Sequence, residues 1–228
     1  MTTMRRQPSR NLKQTIPIVA NVRVRTLHKG RVVDQHKGHN IFLNVGRDWL
    51  IQQISLGAYP IAAGDPIPPP TFDRRIAFMG LGCGGREQSA PADQAWVIAN
   101  VDPLATFLQD DTDVTKTGLE VPALISGGVY AKPILSVTYS APVGPAPGFQ
   151  VWVKYTALWT VGEINNAYGG DDVPITEAAM YPYIDDGGGN FKELSLADMK
   201  IAASSYENFR PVVKAVDYEL EVQWTYRV

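Results

Sequence analysis

The last stretch of the chain, DYELEVQWTYRV, alternates without a break. Tyr218, Leu220, Val222, Trp224, Tyr226 and Val228 fall on one side, and Asp217, Glu219, Glu221, Gln223, Thr225 and Arg227 on the other. A period of two puts successive side chains on opposite faces of a pleated backbone, so the pattern predicts a long strand with one buried face. VWVKYTALWTV (151–161) behaves alike: Val151, Val153, Tyr155, Ala157, Trp159 and Val161 share a face, and Lys154, Thr156 and Thr160 oppose them. Trp152 and Leu158 also fall on that second face and make it partly apolar, which predicts a surface covered by another element or subunit.

IVANVRVRTL and RVVDQH flank His28-Lys29-Gly30, where glycine makes positive φ cheap, and this predicts a hairpin. PILSVTYS (133–140) reads as one further strand between turn-rich segments. Helical periodicity is confined to NVGRDWLIQQISL (44–56), with Asn44 as N-cap, and to the shorter SLADMKIAASS (195–205). The expected fold class is mainly β: an antiparallel, jelly-roll-like β-sandwich with one or two short helices. Residues 1–15 read as an extended flexible arm and 16–228 as a single β-rich domain.

Composition supports a folded core. Of 228 residues 45% are hydrophobic and five are tryptophan, while 20 glycines and 17 prolines cluster between the apolar runs, as turns joining short strands require. Cys83 is the single cysteine, so no intrachain disulfide framework exists, and a reducing compartment is expected. No secretory h-region or apolar run of about 20 residues interrupts the chain, which predicts a soluble protein with no membrane partner.

Charge changes the picture more. Residues 1–39 carry nine Lys or Arg against Asp34 alone, a balance of +8; the remainder carries 12 basic against 22 acidic residues, a balance of −10. The arm's Arg5, Arg6, Arg10 and Lys13 are therefore candidate contacts to an anionic partner, either an acidic protein surface or, as the second choice, nucleic acid.

The chemical motifs are weak. Gly80, Gly82 and Gly85 stand at G-x-G-x-x-G spacing after Ile76–Met79, with Asp102 further on, like a dinucleotide fingerprint. The helix such a site needs would be REQSAPADQA, which Pro91 interrupts, so no nicotinamide or flavin cofactor is expected; the glycines are better read as letting a buried strand turn sharply or bulge against neighbouring backbone. His28, His36 and His39 lie close in sequence but among Lys29, Arg31 and Lys37, whose charges oppose a metal ion. QDDTD (109–113) lacks the glycine and closing glutamate of a calcium loop, and IDDGGGN (184–190) reads as a solvated turn. No nucleophile, base or paired-carboxylate constellation stands out, so the chain reads as a non-enzyme without cofactor or metal.

Four stretches in order, HNIFLNVGRDWL (39–50), RIAFMGLGCGG (75–85), VPITEAAMYPYI (173–184) and YENFRPVVKAVDYELEVQWTYRV (206–228), resemble a loosely defined group of tailed-bacteriophage virion proteins. The most specific element is a Phe-x-Pro-x-x-Lys turn before the final alternating strand; where such proteins carry SEAGL, this chain has Thr176-Glu177-Ala178-Ala179-Met180. The resemblance implies a structural protein of the particle, assembled in the host bacterial cytoplasm and lacking a catalytic motif. A capsid decoration or cement protein that binds the major capsid protein is expected, self-associating through Trp152 and Leu158. A neck, tail or baseplate component is the alternative within the class. Tyr and Trp on loops such as NNAYGG (165–170) leave a carbohydrate-binding module as a reading from another class.

Overall fold

The computed structural model describes residues 19–39, 41–44, 46–47, 76–84, 118–125, 129–140, 152–165, 174–182, 194–201, 203–212 and 214–227. They form β1 (Val19–His28), β2 (Arg31–His39), β3 (Ile41–Phe42), β4 (Ile76–Gly82), β5 (Ala131–Pro133), β6 (Ser136–Tyr139), β7 (Trp152–Trp159), β8 (Ile175–Pro182), α1 (Leu196–Ile201), β9 (Ser205–Val212) and β10 (Glu219–Arg227). The strands make two five-stranded sheets, sheet I in the order β2-β1-β10-β7-β6 and sheet II in the order β3-β9-β8-β4-β5, with antiparallel pairing throughout. The mainly β, two-sheet expectation holds.

Sheet I follows the alternation that predicts it. The β1–β2 hairpin turns through Lys29 (φ 50°) and Gly30 (φ 74°); two consecutive positive φ values make the two-residue turn whose twist suits a hairpin. β10 lies between β1 and β7, with Val222 facing Val24 and Ala157, and Leu220 facing Thr26 and Trp159. Its inward side chains Leu220, Val222 and Trp224 are fully buried. They share one core with Met79, Leu81, Ala178, Met180 and Phe209 of sheet II, so the two sheets face each other across it. Burying each such large side chain is worth about 1.5–3 kcal/mol.

Sheet II departs from the simple half-buried pattern. β8 is buried from Ile175 through Tyr181. Its far face carries a second core, in which Ala179, Tyr181 and Tyr206 pack with Leu119, Leu194 and Met199 of the helical side. α1 starts with a capping box: the Ser195 backbone N–H donates to Asp198 Oδ2 at 2.9 Å, and the Asp198 N–H donates to Ser195 Oγ at 3.3 Å. The expected helix over 195–205 is thus cut short, because Ser204 N–H donates to Met180 O at 2.8 Å and draws the chain into β9.

PILSVTYS is likewise two strands rather than one. Ile134 N–H donates to Ala77 O in sheet II, and the next amide, Leu135 N–H, donates to Thr156 O in sheet I, so the chain changes sheets between adjacent residues. At the other predicted helix, Asn44, Gly46 and Arg47 are helical, and Arg47 N–H donates to Leu43 O at 2.9 Å. That bond makes Leu43 the N-cap and puts Asn44 inside the first turn; 48–56 lie outside the described residues.

Candidate functional site on the outer face of sheet I

The register of sheet I sets its solvent side. Arg23 stands opposite Lys37 on β2 and Gln223 on β10, Thr225 stands opposite Asn21 and Lys154, and Arg227 opposite Trp152. These side chains, with His39, line a hollow of about 520 Å³ that contains no carboxylate. The face's remaining cation, Arg25, is held by Glu221, to which its Nε–H donates at 2.8 Å. Other ion pairs, Arg210 with Asp34 and Lys132 with Glu163, lie elsewhere, as does the 3.3 Å contact of His28 Nε2 with Asp217 Oδ2. Among the described residues, Arg23, Lys37, Lys154 and Arg227 have no acidic partner.

Trp152 and Leu158 sit where the alternation puts them, on the outer side of β7, and both are half-buried. They are six residues apart, about 20 Å along a strand, with Lys154 and Thr156 between them. They do not form one patch. Leu158 stands opposite Glu221, and Trp152 borders the basic hollow. Arg5, Arg6, Arg10 and Lys13 lie outside the described residues, as do QDDTD, IDDGGGN, REQSAPADQA and 166–170 of the NNAYGG loop.

The glycines of β4 have a packing explanation. β4 pairs antiparallel with β5 and β8, so Gly80 and Gly82 lie inside a strand and not in the turn of a parallel β–α unit. A Cβ on Gly80 would come 2.1 Å from Met199 Cε; on Gly82, 2.3 Å from Glu177 Oε1 and 2.6 Å from Val121 O; on Gly84, 2.4 Å from Glu120 Cβ. Spaced two apart, they clear one face of the strand for the layer above. The strand is buried, as expected, but it neither turns nor bulges at Gly80 or Gly82: both keep regular register with β8, the one register shift falls between Ile76 and Phe78, and the glycines instead make room for neighbouring side chains and the Val121 carbonyl.

Into that space reaches Glu177, fully buried on β8. Its Oε1 accepts the N–H groups of Gly84 (3.0 Å) and Val121 (2.9 Å), and its Oε2 accepts the Glu120 N–H (3.1 Å) and the Tyr206 hydroxyl (3.0 Å). Burial pushes the Glu177 carboxyl above the ordinary glutamate range, against the pull of the Val121 and Glu120 amides and the Tyr206 hydroxyl. Its burial and the Glu177 charge raise the Tyr206 hydroxyl in turn. A saturated carboxylate with no solvent path suits a structural clamp rather than acid–base chemistry. Sequence reasoning passed over it, because a lone glutamate in a strand reads as exposed.

The Phe-x-Pro-x-x-Lys stretch, expected to be a turn, continues as strand through Val212 at the end of β9, and its Lys214 is also buried. Its Nζ donates to Asn165 Oδ1 at 2.7 Å, and Asn165 Nδ2 donates to Val161 O at 2.6 Å, fixing the turn in which Ile164 takes φ 55°. Desolvation lowers the Lys214 pKa, while Glu163 and Glu219 oppose the shift. The three histidines diverge: His28 stacks on Tyr218 at 5.0 Å, His36 faces Phe209 at 5.5 Å, and His39 points to the outer side. Among the described residues no group of His, Cys, Asp and Glu is placed to hold a metal ion, and no helix is long and apolar enough to cross a membrane.

No protein-family model matches the chain, and no curated protein or solved structure matches it either.

Proposed function

We propose that this chain is a non-enzymatic structural protein of a tailed-bacteriophage particle: a self-associating, jelly-roll-like sandwich that decorates the head shell and is held there by its basic arm. The observation that carries the reading is the uncharged border of sheet I, with its exposed Leu135 and Val137. Among the described residues β6 is the last strand of that sheet; Val137 within it is 48% exposed and Leu135 just before it 65%. An uncharged sheet edge with exposed apolar side chains invites pairing with another chain, and proteins that stay single usually blunt it with charge or proline. A neck, tail or baseplate position fits the same surface.

The test joins two measurements. Sedimentation should show a homo-oligomer that Val137→Asp dissociates without loss of β structure, and a cryo-EM count should find many ordered copies on the shell. A wild-type protein that is monomeric both free and on particles sinks the reading; ordered copies only at the neck or tail move it to the alternative position.

A further inference from the structure

The cations of the sheet I hollow are spread, and the spread says what they fit. Arg23 and Lys37 are direct neighbours on adjacent strands, whereas Lys154 lies two strands from Arg23, and Arg227 stands at the far row beside Trp152. With strands about 4.8 Å apart and about 3.4 Å per residue, the backbone positions that carry these charges are spaced roughly 5 to 17 Å apart. One small anion cannot reach them all; a chain of anionic groups can. Beside them sits the indole of Trp152, and the amides of Asn21 and Gln223 and the hydroxyl of Thr225 line the same hollow. An acidic peptide would need carboxylates set at that spacing, and it has no planar base to stack flat on the indole. A cationic track with an aromatic platform and neighbouring amides is what an unpaired nucleic-acid strand uses, its phosphates on the cations, a base stacked on the ring and base edges on the amides.

We propose that the hollow on the outer face of sheet I binds single-stranded nucleic acid, with Trp152 stacking a base and Arg23, Lys37, Lys154 and Arg227 holding the phosphate backbone. The hollow reaches to β7, whose Lys154 stands opposite Thr138 of β6, while the assembly edge is the far side of β6; neither reading depends on the other. A duplex keeps its bases stacked and gives the indole nothing, so single strands are preferred.

The experiment titrates the full chain with a fluorescent oligothymidylate across a range of salt. Trp152→Ala should weaken binding roughly five- to 150-fold, the range of one base–aromatic stack, leave the salt slope unchanged, and be rescued by Trp152→Tyr. Arg23→Ala with Lys154→Ala should lower the slope by about 1.4, at about 0.7 per phosphate contact. Because those two residues are exposed or partly exposed, the double variant decides the matter if Trp152→Ala fails to fold. Absence of binding, binding unchanged in the double variant, preference for duplex, or equally strong binding of polyglutamate each overturns the proposal; the last would assign the hollow to an acidic protein.

Discussion

Four hydrogen bonds end on the Glu177 carboxylate, two on each oxygen, and no solvent reaches it. Glu177→Gln keeps the shape but turns one acceptor into a donor, stranding two donors at about 1–3 kcal/mol each. Urea unfolding should record that loss; a change below about 1 kcal/mol would mean the clamp is not formed. The glycines beneath it give a ranking. A methyl on Gly82 meets the Val121 carbonyl oxygen, which is backbone, whereas one on Gly80 meets the tip of Met199, a flexible side chain. Gly82→Ala should therefore cost more than Gly80→Ala, within the usual overpacking range of about 1–3 kcal/mol. Equal costs would count against the packing account of the glycine run. Little of this was legible in the sequence: the glycine run marked a buried strand under steric demand, but it reads as a sharp turn or bulge, whereas Gly80 and Gly82 stay in regular register. A buried glutamate is recognisable only through its donors, and all four, from Gly84, Glu120, Val121 and Tyr206, lie 29 or more residues from it along the chain.

At the scale of elements, legibility followed exposure. β10 and β1 have one wet face, so their period of two is written plainly in VQWTYR and VRVRT. β8 is buried on both faces, so ITEAAMYP carries no period to read. The break between β5 and β6 was hidden for another reason: Ile134 and Leu135 are as strand-like as their neighbours, and only their different partners part them. The turn after β7 gives the element its pH dependence. Burial pushes the Glu163 carboxyl up, but hydrogen bonds from Lys132 and from Thr160, with the Lys132 charge, outweigh it and hold it below the ordinary glutamate value. A depressed folded-state pKa means the stabilisation is complete above the unfolded value and is lost as pH falls through the folded one. Glu163→Gln should flatten the acid limb of the stability curve, as measured by thermal melts from neutral pH downward. An unchanged limb would remove the Lys132–Glu163 pair from the account.

For the whole molecule, the charge asymmetry read from the sequence extends onto the fold. Of the nine cations in residues 1–39, Arg23, Arg25 and Lys37 lie on the outer face of sheet I, where Lys154 and Arg227 join them from distant parts of the chain. Alternation alone could say that these side chains face outward. It could not say that they meet, because the register between strands some 200 residues apart is a tertiary fact. This division gives the arm its own test. Deleting residues 1–15 removes Arg5, Arg6, Arg10 and Lys13 and leaves every described strand intact. The truncated protein should keep its β spectrum and its melting temperature. If the arm staples the sandwich to acidic shell subunits, binding to DNA-free shells should fall on truncation. Binding of the intact protein should weaken as salt rises, because exposed charges are screened over about 10 Å at 0.1 M ionic strength. If shell binding survives truncation unchanged, the arm is no staple. The sandwich would then have to hold the shell by its own surfaces, and Val137→Asp would be the variant that releases it.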